Sequence, residues 1–471
     1  MKTGFVHGSG AKRGRGCRGR VWSWRRVAGA AALAVLAATP GAASLSREEA
    51  LKVQDIMADM HEAVFDNYYP KEKVGKEFNR TCAEAEKRIG GAADTSEAFA
   101  FIADALSSLD SRIIFWPPRR AVRVDYSWQW MMLGDGAYVT EVDRAGDAAK
   151  QGLRVGDRVL SIEGVAPDRG NCLRLDYTFN VLAPRPGLRI LAQSPGQQPR
   201  WLAIAATIRA QRPTRTRTWL RWASAVKVYS ERDRQYLDAI IEQKNRRWIG
   251  RALVWHLDRL EGISGDRAAG LRSVDSDAAA GLKEAAGAGA LILDLRGQYL
   301  VDVDRVMQVL DGLFAGEFEV GRIKNERWGK SLRVHGRPDA FKGTVLVLTD
   351  AHTGGFAELL AHVIQQRQRG VVIGDRTMGR VLEESFVSHA RGMITGIIAA
   401  GVTIPTGELV LADGAQLDGR GVAPDLLLLP QPEDLAGQRD VVLAKALRMA
   451  KETLSPEDAF KLFWIDPDYE D

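Results

Sequence analysis

The chain has 471 residues, of which 45% are hydrophobic and 27% charged, and a formal charge of +5. This composition is typical of soluble globular proteins, and the length predicts two to four domains because one core rarely serves so long a chain. The chain contains seven scattered histidines and three cysteines, with no CxxC or HExxH spacing. We therefore expect neither a metal site nor a cofactor.

Residues 1–43 have the pattern of a signal peptide. Residues 1–26 contain eight basic side chains and no acid, and the small apolar stretch 27–38 follows directly. That stretch is too short for a permanent membrane span, and the small residues at 41–43 offer a cleavage site after Ala43. We expect export to the periplasm or the medium, by the general or the twin-arginine route. Contact with a membrane is expected only if the signal stays uncleaved.

Loss of the signal would change the electrostatic interpretation. The eight basic residues would leave with it, and the charge would fall from +5 to −3. The basic composition therefore does not indicate nucleic-acid binding, and we expect no nucleic-acid partner.

A small helical region is predicted over residues 44–118. Ser46 and Glu49 have the spacing of a capping box, and apolar residues recur on one helical face from Val53 to Val64. Further helices are predicted over 71–89 and 96–109, and a Trp-Pro-Pro break at 116–118 ends the region. Cys82 lies here and Cys172 in the next domain. The two cysteines could pair after export or remain separate buried thiols.

Residues 119–209 predict short strands joined by glycine turns. A strand, a short helix, the sequence GLRVGD at 152–157 and then VLSIEG at 159–164 resemble a PDZ domain, since each glycine supplies a turn. The resemblance implies a domain that takes an extended peptide C-terminus as an added strand. The binding strand is expected near residues 128–133, where the candidate peptide-binding residues are Trp128, Trp130, Met131 and Leu133.

Apolar strands and helices alternate in the last large region. Strands are predicted over 252–257, 290–295, 344–349 and 370–374, with helices over 275–286, 302–314 and 355–368. This alternation predicts an α/β core with a parallel or mixed sheet. The predicted fold class is thus multidomain α+β. Its predicted order is the signal peptide (1–43), the helical region (44–118), the PDZ domain (119–209), the α/β core (210–430) and a helical, acidic tail (431–471).

Three motifs of the core resemble the C-terminal (tail-specific) processing peptidases. They are LILDLR at 291–296, the segment 349–358 followed by GDRTMG at 374–379, and DGRGVAPD at 418–425. The resemblance, together with the preceding domain order, covers roughly residues 45–430. It implies a nucleophilic serine three residues before Glu358, a lysine base after Gly379 and a double-glycine turn for the oxyanion.

The expected catalytic residues are substituted in this chain. The dyad positions hold Gly355 and Arg380, and the oxyanion-turn positions hold Leu300 and Val301. Glycine offers no nucleophile, and arginine, with a pKa above about 12, cannot act as the base. Glu384 follows Arg380 by four residues, where many members carry glutamine, and we expect Arg380 to pair with Glu384 or with a nearby aspartate, Asp375.

We therefore interpret the chain as an exported pseudoprotease that sequesters or scaffolds extended or C-terminal peptide segments. Two alternatives stay open. An active serine-type peptidase with a rebuilt site could use Thr353 or Ser385, although Thr353 precedes a predicted helix and could merely cap it. A structural subunit could instead assemble with an active homologue, or with further copies of itself, through its helical and PDZ domains.

Overall fold

The computed structural model describes residues 45–118, 122–210, 245–257, 274–298, 303–326, 329–393 and 396–463. The predicted signal peptide and the oxyanion-turn positions Leu300 and Val301 lie outside these residues. Within the described ranges, no helix combines the length and the apolar character that crossing a membrane requires.

The described chain begins with three helices: α1 (Arg47–Asn67), α2 (Lys76–Ile89) and α3 (Thr95–Leu109). The predicted capping box is confirmed, because the Ser46 hydroxyl accepts the Glu49 N–H and the Glu49 carboxylate accepts the Ser46 N–H. The prediction of one continuous helix from residue 71 is wrong. Pro70 and Gly75 flank a separate 3₁₀ turn, Lys71–Lys73, before α2 begins.

The described residues of the range 114–210 form eight short strands, two short α-helices and one π-helical turn, Thr178–Leu182. These are β1 (Ile114–Trp116), β2 (Val122–Asp125), β3 (Trp128–Leu133), β4 (Gly136–Val142), α4 (Asp147–Lys150), β5 (Arg158–Ile162), α5 (Cys172–Tyr177), β6 (Gly187–Gln193), β7 (Arg200–Ala205) and β8 (Thr207–Ala210). Strands β3 to β7 form an antiparallel sheet in chain order, so β3 and β7 are its edges. One face of this sheet is buried with α5, and Met132, Val139 and Ile190 belong to that core.

Two sequence predictions can be checked in this sheet. Gly152 and Gly156 have φ values of 86° and 88°, as expected of turns that only glycine adopts easily. Cys172 and the earlier Cys82 are both buried free thiols, so the possible disulfide is not formed.

The remaining described chain alternates strands and helices. These are β9 (Arg246–Ile249), β10 (Ala252–His256), α6 (Val274–Ala285), β11 (Ala290–Asp294), α7 (Val303–Leu313), β12 (Phe318–Lys324), β13 (Gly329–Val334), β14 (Thr344–Thr349), α8 (Phe356–Gln366), β15 (Val371–Gly374), β16 (Leu382–Met393), β17 (Gly396–Leu411), β18 (Leu426–Leu427), α9 (Pro432–Ala436), α10 (Val441–Met449) and α11 (Pro456–Lys461). The predicted core strands and helices are confirmed to within two residues at each end.

A six-stranded sheet lies at the centre of this core, in the order β18-β15-β14-β11-β10-β9. All its pairings are parallel except that of β9 with β10. Leu253 and Leu291 face α6, α7 and α8, whereas Val254 and Ile292 face α10 and α11, as strand alternation requires. The helices after residue 431 thus complete the second face of the sheet.

A second sheet joins the helical region to the core. Strand β1 pairs with β17, and β17 also pairs with β12 and β16. Phe115 of β1 and Val402 of β17 share one buried cluster with the three N-terminal helices. This pairing brings the segment between α3 and β1 beside the carboxyl ends of the parallel strands, which is where the candidate site lies.

Candidate functional site

Gly355 occupies the expected nucleophile position, in a turn whose backbone conformation favours glycine. It is the N-cap residue of α8 and has φ 61° and ψ −143°, a conformation that residues other than glycine seldom adopt. Its N–H donates to the Arg380 carbonyl at 2.9 Å, and the Gly354 N–H donates to the Gln298 carbonyl at 2.8 Å. A sharp strand-to-helix turn of this kind presents the serine in other hydrolases. Here the turn is retained without a side chain on it.

Thr353, the first possible substitute nucleophile, is fully buried and holds the loop together. Its hydroxyl accepts the Asp350 N–H at 3.0 Å and lies 3.0 Å from both the Leu295 carbonyl and the Asp350 carboxylate. Gly355 rather than Thr353 caps α8, so the capping prediction for Thr353 is wrong. The threonine hydroxyl is enclosed and engaged in structural hydrogen bonds.

Arg380 occupies the expected base position within an ion pair. Its guanidinium donates to Glu384 at 3.1 and 2.7 Å and to the Arg112 carbonyl at 2.9 Å. The side chains of Arg380 and Glu384 are only 12% and 14% exposed. The predicted pair with Glu384 is confirmed. The predicted alternative, Asp375, is wrong because that carboxylate pairs with Arg169 at 2.5 Å.

The ion pair continues into a charged cluster that the sequence analysis missed. The Arg112 guanidinium binds Asp110 and Asp418, each at 2.6 Å, and the Tyr68 hydroxyl donates to Asp110. Burial opposes the ionisation of Asp110, but the bonds from Arg112 outweigh it and keep the pKa of Asp110 below its usual value. The cluster therefore joins the helical region to the core next to Arg380. No short-range pattern reveals it, because Arg112 and Asp418 are far apart in sequence.

Glu358 fixes the turn that precedes Arg380. Its fully buried carboxylate accepts the Thr377 hydroxyl and the backbone N–H groups of Gly379 and Arg380. Burial raises the pKa of Glu358 to about 7, even though these three bonds favour the ionised form. The motif glutamate and the motif glycine are thus in direct contact.

Ser385, the other possible substitute, has no hydrogen bond to a basic side chain among the described residues. It is exposed on β16, and among the described residues its hydroxyl bonds only to Thr406 Oγ1, at 3.3 Å. The described part of the chain also contains no group of three or more His, Cys, Asp or Glu side chains placed to hold a metal ion.

The candidate peptide-binding residues lie on β3, an edge strand of the antiparallel sheet. Trp128, Trp130 and Met131 are partly buried and Leu133 is buried. The Trp128 indole N–H is enclosed without a hydrogen-bond partner among the described residues. The strand thus offers partly exposed apolar side chains and one unused donor.

A link to the core follows the end of β3 directly. The Gly134 N–H donates to the Asp375 carboxylate at 2.8 Å, and Arg169 donates to the Gly134 carbonyl at 2.8 Å. Arg169 also bonds to Asp375 and to the Arg376 carbonyl. The end of β3 is therefore held beside the 374–380 turn that carries Arg380.

Known proteins resemble this chain in sequence over part of its length and in fold over most of it. The model of peptidase family S41 matches residues 265–428. The chloroplastic C-terminal processing peptidase of Tetradesmus obliquus is 30% identical over 95 residues, which make up 20% of this chain and 19% of that protein. The aligned part thus spans about a fifth of that relative.

Two solved structures are similar over most of the chain. The crystal structure of mature CPAF matches 82% of this chain and 94% of its own, with a TM-score of 0.57 and 11% identity. Mature CPAF complexed with lactacystin matches 82% and 95%, with a TM-score of 0.54 and 12% identity. At such identities the likeness shows a shared fold.

Proposed function

We propose that this chain, which matches the model of peptidase family S41 over residues 265–428, is an exported pseudoprotease of that family, which binds extended or C-terminal peptide segments without cutting them. One observation carries the proposal. Of the two dyad positions, one holds Gly355, which has no side chain, and the other holds Arg380 in a buried ion pair.

The two dyad positions lack the side chains that acyl transfer requires. Peptide hydrolysis of the Ser-Lys type needs a hydroxyl nucleophile and a neutral amine that accepts its proton. Gly355 has no hydroxyl, and the Arg380 guanidinium stays protonated and is bound to Glu384. Thr353 cannot supply the nucleophile from its present position because its hydroxyl is enclosed and bonds to the loop backbone.

The hydrogen bonds around the dyad positions are nevertheless retained. This favours a binding role over a loss of all function at the site. Glu358 still holds the turn before Arg380, and the Gly355 N–H still bonds to the Arg380 carbonyl.

Peptide binding is assigned to β3 through the resemblance to PDZ domains. An extended peptide added to this edge would gain main-chain hydrogen bonds, while the side chains of Trp130 and Met131 would select its apolar residues. The partners we propose are therefore unfolded or C-terminal segments of other exported proteins.

The test follows binding and cleavage in one reaction. The purified protein is incubated with a labelled disordered polypeptide with an apolar C-terminus, and anisotropy and gel electrophoresis are recorded over a long time course. We expect saturable binding with an intact polypeptide. Cleavage at a rate proportional to protein concentration, and absent from a mock preparation, would refute the proposal.

Variants locate the binding surface. Trp130→Ala combined with Met131→Ala is expected to weaken binding by about tenfold or more, as for removal of central interface anchors. Trp248→Ala is the matched control, because Trp248 is 43% exposed on β9, away from the β3 edge. Equal losses in both variants would argue against β3 as the binding strand.

A further inference from the structure

The outer side of α1 carries an exposed apolar stripe with acidic neighbours. Leu51 and Phe65 are 54% and 51% exposed, and Ala58 is exposed between them. The three residues are seven apart, so they form one line along the helix. Beside this line lie four exposed acids: Glu48, Asp55, Glu62 and Asp66. Lys52 pairs with Glu48 and Arg47 is exposed at the start of the helix, so four acids and two bases leave a net charge of −2 on this side. We call the three apolar residues and these four acids the helix stripe.

The outer face of the antiparallel sheet carries a patch of opposite charge. Trp201 on β7 is 53% exposed, with the Arg189 guanidinium 5.2 Å from the centre of its ring. Leu191 lies opposite Trp201 in the strand register, and Arg158 lies on the same face. Arg158 and Arg189 are exposed, and Leu191 is partly exposed. We call Trp201, Leu191, Arg158 and Arg189 the sheet patch.

The two surfaces match in length as well as in charge. The helix stripe spans about 21 Å from Leu51 to Phe65, at about 1.5 Å per residue. Strand β7 has six residues and extends about 20 Å at about 3.3 Å per residue. A helix lying along β7 would set Phe65 or Leu51 against Trp201 and its acids against the arginines.

We propose that the helix stripe of one copy docks on the sheet patch of a second copy. Both surfaces are exposed in the same molecule, so they do not cover each other within one chain. Pairing of two helix stripes would set acids against acids, and pairing of two sheet patches would set arginines against arginines, which disfavours both symmetric contacts. The charges therefore select a head-to-tail contact, which builds rings or open chains.

This contact is independent of the proposed peptide binding, which uses the β3 edge instead. It also specifies which two surfaces would form the homo-oligomer that the sequence analysis left open. Large exposed apolar side chains rimmed by charge are typical of protein interaction sites.

The test measures self-association of the full chain, expressed with its own leader, by sedimentation velocity over about a hundredfold concentration range. We expect oligomers that grow with concentration and weaken with added salt. Phe65→Ser and Trp201→Ser should each weaken association by about tenfold or more. Leu427→Ser, a change at a side chain that is 64% exposed outside both surfaces, is the control and should have no effect.

Mixing the two defective variants distinguishes the head-to-tail contact from a symmetric one. The intact sheet patch of Phe65→Ser can accept the intact helix stripe of Trp201→Ser, so an equimolar mixture should form one-to-one complexes that do not grow further. A symmetric interface would give no such rescue. Monomers at every concentration, no rescue in the mixture, or an equal loss in the Leu427 control would each overturn the proposal.

Discussion

Restoring the family's serine at position 355 should destabilise the fold. Gly355 has φ 61° and ψ −143°, and a side chain held in this region costs about 1–3 kcal/mol. Replacing glycine also restricts the unfolded chain, which returns about 0.4–1 kcal/mol. We therefore expect Gly355→Ser to lower the free energy of unfolding by about 1–2 kcal/mol.

Urea unfolding followed by circular dichroism measures this change. Gly316→Ser is the matched control, because an added side chain there would meet open space and Gly316 lies outside the left-handed region. The control should stay within about 0.5 kcal/mol of the parent chain. A Gly355→Ser variant as stable as the control would show that the backbone at position 355 accepts a side chain without strain, contrary to this prediction.

Three more changes test the charges around the site. Arg380→Ala should cost about 3 kcal/mol, because it leaves Glu384 buried without its main ion partner. Burial raises the pKa of Glu358 from 4.5 to about 7, so the folded state holds a proton that the unfolded chain releases between these values. The free energy of unfolding should therefore fall from pH 4.5 to 7 by up to about 3 kcal/mol relative to Glu358→Gln. Arg169→Ala should cost about 3 kcal/mol, since Asp375 is 5% exposed.

Urea unfolding measures all three changes, and for each change a different result would contradict the prediction. Arg380→Lys keeps the charge and should lose less than Arg380→Ala, so equal losses would assign the effect to packing. The same pH dependence in Glu358→Gln as in the parent would place the proton elsewhere. Arg333→Ala breaks an exposed pair and should cost under about 1 kcal/mol. A similar small cost for Arg169→Ala would mean that its ion pair does not hold the sheet to the core.

Local patterns were sufficient for most of the elements. Alternating apolar strands and helices predicted the core, and the capping box at Ser46 predicted the start of α1, because these signals lie within a few residues of one another. The spacing of Glu358 and Gly379 predicted the positions of the site, and these two residues are in direct contact.

Contacts between distant segments were beyond such patterns. Arg112 reaches Asp418 only because β1 pairs with β17, a register that no local signal encodes. Arg169 is also far from Asp375 in the sequence. It pairs with that carboxylate, and Arg380 pairs with Glu384 instead. The helix stripe and the sheet patch are also visible only in three dimensions, where burial separates exposed apolar residues from core residues.

The central claim is that this peptidase fold holds no working nucleophile. The most direct measurement is the intact mass of the folded protein after incubation with a fluorophosphonate, which labels activated hydroxyl groups in serine-type hydrolases. We predict an unchanged mass, because position 355 carries no hydroxyl and the hydroxyl of Thr353 is enclosed. A stoichiometric adduct that maps to Thr353, Ser385 or another hydroxyl, and that does not form when the protein is unfolded before labelling, would contradict the account.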